Sequence, residues 1–404
     1  MKKIFFAYQY SMENAGDFAI NVGSLDLLSS LGYEITVMSK NTKNNEEYSL
    51  NERYIKEYYT NVKMLPGPFD LNRDGTIKTL ISYTFGFVKL IYYSCFGQYK
   101  SEINSSNFVV LNGGNVLRCN SITDYIRLFA LIFPLKLSIS GGVQYALFPQ
   151  STTTINRKGK KLLEKYMDNA KIVFARENIS YNSLQKTFNN ANIIESLDSA
   201  YFIRDRENVL KEFEVKYDDY LKLDRKICIT LRKEDIGDIG ELSKEKRDKI
   251  ENKIISFISQ AIKGGYSIVL VIQTKKDKKF TEDIFNKVNS SNISIIEEYN
   301  PLFLREIYRN SECLVGMRLH SIILAMSVGT PVVGYFDEAW GIKNPGTLSK
   351  FNMPYCYLNS NDSFFTMINE AKSNKELMNE TIQNCKLRMI SDLENVINNR
   401  KIVG

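Results

Sequence analysis

The stretch Cys313-Leu-Val-Gly-Met-Arg-Leu-His-Ser-Ile-Ile-Leu-Ala-Met-Ser-Val-Gly-Thr-Pro-Val-Val-Gly-Tyr335 alternates apolar runs with turn residues. Residues 313–315 are a short apolar run that reads as a strand ending at Gly316. Residues 321–328 read as a buried helix, closed by Gly329 and followed by Pro331. Residues 332–335 read as the next strand. Strand, turn, helix and strand make a βαβ unit. Its first turn lies at the carboxyl end of a parallel strand, where open α/β sheets bind ligands. That turn carries Arg318 and His320, the only histidine in the chain. Arginine is a permanent planar cation suited to phosphate or carboxylate. Histidine exchanges a proton near neutral pH. Ser321 is placed to cap the helix, whose amino end also attracts anions. The competing reading is structural. A lone histidine beside an apolar helix is often hydrogen-bonded filling, and Arg318 can be half of an ion pair.

Working outward, 404 residues suffice for two domains of ordinary size, and 44% apolar with 25% charged residues is a globular balance. The six cysteines, Cys95, Cys119, Cys228, Cys313, Cys356 and Cys385, are scattered, with no Cys-x-x-Cys pair. With a single histidine they point to no metal site and to a reducing cytosol. Lys2 and Lys3 precede a short apolar run, but polar residues follow and no cleavage site appears, so a signal peptide is not expected. The formal charge of +7 suits anionic substrates or an anionic membrane face. It is too diffuse to argue for nucleic acid.

From the amino end, residues 3–8 read as a strand, and residues 11–17 as a polar loop. Asp17 is expected to open a helix with Phe18, Val22, Leu25 and Leu28 on one face. Residues 34–38 form the next strand. The start is Rossmann-like but lacks Gly-x-Gly-x-x-Gly. Residues 41–57 read as loop plus surface helix, broken by Pro66-Gly-Pro68. Residues 79–96 are apolar and aromatic, near the lower length limit for a membrane span of about 17 residues. Lys89, Gly86 and the hydroxyl residues argue against a span, and a buried or interface helix is expected ahead of a membrane-surface helix. Residues 107–111 lead a strand into Asn112-Gly113-Gly114-Asn115, where paired glycines let a backbone approach a ligand. Residues 125–133 read as a helix up to Pro134, and residues 136–139 as a strand. Residues 171–175 deliver Arg176-Glu-Asn-Ile-Ser180, again an anion-site geometry. Residues 227–231 end at Arg232, residues 244–264 form a long amphipathic helix, and residues 266–272 the next strand. Residues 275–279 read as a solvated charge run. Residues 362–399 read as closing helices.

Several of these segments resemble the polysaccharide pyruvyl transferase family. They are Asn14-Ala-Gly-Asp17, the Asn112-Gly113-Gly114 turn, Arg176-Glu-x-x-Ser180, Asp198-Ser-Ala200, and above all Arg318-Leu-His-Ser321 with Gly-Thr-Pro-Val-Val after it. Two positions depart from the family's pattern. Asn115 stands where a third glycine is usual, with Asp124 the nearest acidic residue beyond it. Glu338 stands where a lysine is common, with Lys343 the nearest substitute. The resemblance runs from Asn14 to Pro345.

The expected fold is therefore α/β, with two Rossmann-like doubly wound domains facing across a cleft, as in the two-domain GT-B form of sugar transferases. Residues 1–205 make the amino-terminal domain and acceptor side. Residues 222–365 make the carboxyl-terminal domain and donor side, and residues 366–404 the closing helices. The resemblance implies transfer of pyruvate from phosphoenolpyruvate onto a sugar of a surface polysaccharide or its lipid-linked precursor, forming a ketal. His320 and Arg318 would be catalytic. Arg176, Arg232, Arg318 and Ser321 would hold the donor. Asn14, Gly16, Asp17, Asn112, Gly113, Gly114 and Asn115 would hold the acceptor. No cofactor or metal is implied beyond phosphoenolpyruvate as donor substrate. The expected location is cytoplasmic, with peripheral contact at the inner membrane face as a further reading. Two rivals share the fold. One is a glycosyltransferase using a nucleotide sugar, and the other a polysaccharide-assembly subunit without chemistry.

Overall fold

The computed structural model describes residues 2–9, 12, 14–68, 70, 86, 88–90, 92–93, 97–152, 155–233, 242–341 and 343–398. The chain divides into two compact units. One comprises Met1–Met12, Ile20–Phe202 and Cys385–Gly404, and the other Glu13–Ala19 and Ile203–Asn384.

In the first unit the strands are β1 (Lys3–Gln9), β2 (Glu34–Ser39), β3 (Val62–Leu65), β4 (Phe108–Leu111), β5 (Tyr145–Gln150), β6 (Ile172–Ala175) and β7 (Ile193–Glu195). They form a parallel sheet in the order β3-β2-β1-β4-β5-β6-β7. In the second unit β8 (Lys226–Thr230), β9 (Ser267–Ile272), β10 (Ile293–Glu297), β11 (Cys313–Gly316), β12 (Val332–Phe336) and β13 (Tyr355–Tyr357) follow the order β10-β9-β8-β11-β12-β13, also parallel. Both are doubly wound α/β sheets. A parallel sheet covered by helices on both faces demands continuous apolar strands. Ile4, Phe5, Phe6 and Ala7 of β1 are accordingly all fully buried, as are Leu314 and Val315 of β11. Edge-on rings tie the first sheet across its strands, Phe6 to Phe148 at 6.2 Å and Phe148 to Phe174 at 6.4 Å between centroids.

Strand order reverses between β1 and β4 in the first sheet and between β8 and β11 in the second. The crevice outside the carboxyl ends at such a point is where open α/β sheets take ligands. The βαβ unit that opened the sequence reading is present as β11, the helix Leu319–Ser327 and β12.

Several local expectations are corrected. Residues 136–139 are not a strand: they lie in the helix Phe133–Ser140, and the strand is β5 beyond Gly141 and Gly142. A short apolar run fits either element, and Pro134 sits in the first helical turn, where its missing N–H costs nothing. Asp17 does not open its helix, which runs Ala15–Ser30. Asn14 stands before it. Its carbonyl accepts from Phe18 N at 2.9 Å and its Oδ1 from Gly16 N at 2.9 Å. The short edge strands β3, β7 and β13 carried too few residues to stand out in the sequence. The run at residues 275–279 is not wholly solvated, because Asp277 within it is buried. The apolar segment 79–96 lies mostly outside the described residues. Among the described residues no helix is long and apolar enough to cross a membrane.

Candidate functional site

The carboxyl edge of the second sheet is built around the turn after β11. Gly316 pairs with Thr230 of β8, and Met317 N donates to the Thr230 carbonyl at 3.0 Å. The following helix folds back tightly on its strand. A Cβ at Gly316 would lie 2.8 Å from Ile322 Cγ1, so any larger residue would have to push that side chain aside. Arg318 is the residue at the helix amino end, with extended backbone (φ −109°, ψ 128°) and no side-chain cap.

Ser321 is therefore not the cap that the sequence suggested. It lies inside the first turn, fully buried, and its hydroxyl donates back to the Arg318 carbonyl at 2.7 Å. Having spent its proton there, it stands 2.8 Å from the Thr230 hydroxyl, which is left to donate to it. Ser321 thus welds the turn to the end of β8.

The Arg318 guanidinium is oriented by a carboxylate that the sequence reading passed over. Its Nε donates to Asp277 Oδ2 at 2.8 Å and its Nη2 to Oδ1 at 2.6 Å. Asp277 is buried and also accepts from Lys233 N at 2.9 Å. One carboxylate thereby joins the ends of β8, β9 and β11. The bidentate fork fixes the plane of the guanidinium and engages two of its five N–H groups. Arg232, next along β8, lies with its guanidinium carbon 4.6 Å from the Trp340 ring centroid, a cation–π contact with the only tryptophan in the chain. Trp340 sits in a short turn begun by Asp337, whose Oδ1 accepts from Ala339 N at 3.0 Å and whose other oxygen pairs with Lys246. Glu338, in the same turn, is exposed.

His320 is half-buried beside Arg318. Gly16, in the segment Glu13–Ala19 of the same unit, lies directly against its ring. A Cβ at Gly16 would stand 2.3 Å from His320 Nδ1 and 2.7 Å from Cγ. Two short motifs 304 residues apart thus meet at one imidazole, and a side chain at position 16 would occupy the ring's own space. Asn14 and Asp17 flank this contact in sequence.

The remaining sequence-derived residues lie in the first unit. Arg176, directly after β6, has a side chain only 8% exposed and donates from Nη1 to Asp198 at 2.8 Å and from Nε to Glu177 at 3.4 Å. Burial alone would disfavour its charge. The two carboxylates more than offset that and raise its proton affinity above the usual arginine value. Glu177 in turn accepts from Ser151 Oγ at 2.7 Å and from Ser180, whose own oxygen accepts from Thr152 N at 2.9 Å. The Arg-Glu-x-x-Ser and Asp-x-Ala motifs are therefore one buried network knitting the ends of β5, β6 and β7. Asn112 is also internal. Its Nδ2 donates to the Tyr8 carbonyl at 3.0 Å and to Asn21 Oδ1 at 2.8 Å, and its carbonyl accepts from Gln150 Nε2 at 2.9 Å. Gly113 lets Pro149 approach, since a Cβ there would be 2.7 Å from the Pro149 carbonyl oxygen. Gly114 adopts φ +113° and bridges to Gln150. Asn115 beyond them is exposed.

The sequence reading missed Asp277, Thr230 and Trp340 as parts of the site. Asp277 was masked by the lysines around it, and Thr230 by its place in an apolar strand. Trp340 offered the one signal that could have been used, as the chain's lone tryptophan just past a strand end.

Comparison with solved structures finds the same fold at low identity. A UDP-GlcNAc 2-epimerase from Neisseria meningitidis bound to UDP-GlcNAc aligns over 97% of this chain and 99% of its own, with TM-score 0.62 and 13% identity. A glycosyltransferase from Rickettsia africae ESF-5 aligns over 99% of each chain, with TM-score 0.56 and 13% identity. A UDP-glucosyltransferase from Polygonum tinctorium aligns over 99% of each chain, with TM-score 0.57 and 12% identity. A search of curated protein sequences finds no match. The sequence pattern of the family described as Polysaccharide pyruvyl transferase matches residues 14–335, spanning the segment at Gly16, the Arg176 network and the turn with Arg318 and His320. The protein is a member of the polysaccharide pyruvyl transferase family, a transferase on the two-domain α/β fold shared with sugar-nucleotide enzymes.

Proposed function

We propose that the protein transfers the pyruvyl group of phosphoenolpyruvate to two hydroxyls of one sugar in a polysaccharide or its lipid-linked precursor. Both sugar oxygens bond to C2 of the donor, and the C2–O bond to phosphate breaks. One hydroxyl proton ends on the methylene carbon, making a methyl group, and the other leaves with phosphate. The donor brings a phosphate and a carboxylate, and the leaving phosphate needs fixed positive charge around it. Arg318, with its plane set by Asp277, and Arg232, held on Trp340, supply that charge at the second sheet's switch point. His320 is the proton carrier. The observation that carries the reading is that Gly16 packs against the His320 ring in the turn that also holds Arg318 on Asp277, at that switch point.

The contact between Gly16 and His320 gives a direct check on the proton carrier. Gly16→Ala is expected to displace the imidazole and lower turnover by about a hundredfold, the scale of an ångström misplacement, with the circular dichroism spectrum unchanged. Unaltered turnover would mean that the position of the ring is immaterial to the reaction.

The likeness to a 2-epimerase bound to UDP-GlcNAc and to a UDP-glucosyltransferase favours one rival, glycosyl transfer from a nucleotide sugar. Thermal shift separates the two. Phosphoenolpyruvate at a hundred times its dissociation constant should stabilise the folded protein by about 2.7 kcal/mol. UDP-glucose and UDP-GlcNAc should not. The reverse pattern would replace the pyruvyl reading by the glycosyl one.

A further inference from the structure

Gln9 closes β1, next to the switch point of the first sheet, and is 1% exposed. Among the described residues neither its Nε2 nor its Oε1 has a hydrogen-bond partner. A buried amide in that condition has given up water without return, and native proteins seldom tolerate one without a purpose. The backbone beside it is strained. Tyr8 stands at φ +69°, and the pairing of β1 with β2 slips between Ala7 and Gln9. The surroundings hold Tyr8 in that conformation: its hydroxyl donates to the Ala130 carbonyl at 2.6 Å, and its own carbonyl accepts from Asn112. Strain of this kind collects at functional strand ends. A second orphan lies two strands away, at the end of β5. Gln150 donates from Nε2 to the carbonyls of Asn112 and Phe148, but its Oε1 is buried without a partner.

Gln9, Asn112, Gln150, Ser151 and Thr152, buried at the ends of β1, β4 and β5, are uncharged, and the charges beyond them at β6 and β7, Arg176, Glu177 and Asp198, are paired with one another. The corresponding edge of the second sheet carries Arg232, Lys233, Asp277 and Arg318. Fixed charges suit an anionic donor, whereas amides suit neutral hydroxyls. We propose that Gln9 recognises the saccharide, its Oε1 accepting from one hydroxyl and its Nε2 donating to a neighbouring one. An amide presents acceptor and donor side by side, which matches hydroxyls on adjacent sugar carbons. The proposal rests on the reading of the protein as a saccharide-modifying transferase, but it involves no donor chemistry.

The test is Gln9→Met, which keeps length and volume and deletes both polar atoms. Removing an orphaned amide should raise the melting temperature of the ligand-free protein by about 2–4 °C. The same change should weaken saccharide binding by about tenfold or more. Binding is read by saturation-transfer NMR with methyl glycosides of glucose, galactose, mannose and N-acetylglucosamine, and stabilisation by phosphoenolpyruvate should be unchanged. Should Gln9→Met fail to fold, Gln9→Asn withdraws the amide by one methylene and gives the same binding readout. A lower melting temperature with unchanged glycoside binding would overturn the proposal and mark the amide as paired with internal water. A wild-type protein that takes none of the glycosides would overturn it too. A wild type that binds glycosides through Gln9 but ignores phosphoenolpyruvate would support the proposal and contradict only the donor assignment.

Discussion

Replacing His320 by alanine is expected to leave the fold and donor binding intact and to lower turnover by about two to four decades, the range for a general acid or base. His320 is the only imidazole in the chain, so a step that needs one has a single source. Its neighbours are arranged for the task. Arg318 precedes it with a guanidinium held by Asp277, and Gly16 fits against the ring where any side chain would collide. The proton it moves either leaves a sugar hydroxyl or arrives at the donor's methylene carbon. Both roles demand the ring, and neither demands it for folding. Single-turnover kinetics beside equilibrium donor binding separates chemistry from affinity. A His320→Ala protein with near-normal turnover would leave the histidine as a positioning residue.

Arg176→Ala is expected to act on a different quantity, stability. The guanidinium is buried with Asp198 at 2.8 Å and Glu177 at 3.4 Å. Removing it leaves the two buried carboxylates without that counter-charge. Breaking a buried pair in this way costs roughly 3–5 kcal/mol. Loss on that scale should appear in urea denaturation as a midpoint shifted down with little change in slope. Ser151, Ser180 and Thr152 are bound into the same network, so loosening should spread along the ends of β5, β6 and β7. An Arg176→Ala protein of native stability, with donor affinity lowered instead, would show that the arginine reaches the donor.

The two arginines mark how far the sequence could be read. Strand-end arginines before helices look alike in a sequence, and both Arg176 and Arg318 were expected to meet the donor. What distinguishes them is their carboxylate partners. Arg176 has Glu177 beside it in the chain and Asp198 22 residues on. Arg318 has Asp277, 41 residues back and inside a lysine run. Such pairings arise from strand order, which local pattern does not reveal. The βαβ unit itself was legible because apolar runs, Gly329 and Pro331 punctuate it on the scale of a single turn. The helix Phe133–Ser140 was not, since a short apolar run after a proline fits two elements. Gly16 was legible as a motif residue, but its role as the space left for His320 became visible only when the ring was placed against it.

Movement of a pyruvyl group from phosphoenolpyruvate to a saccharide, as proposed, can be followed atom by atom. The protein is incubated with carbon-labelled phosphoenolpyruvate and saccharide acceptors, and the mixture is followed by NMR with phosphate assayed in parallel. The expected result is a new ketal methyl signal on the saccharide, with one phosphate released for each methyl formed. Intact phosphoenolpyruvate, together with transfer of a sugar from UDP-glucose or UDP-GlcNAc to the same acceptors, would contradict the claim.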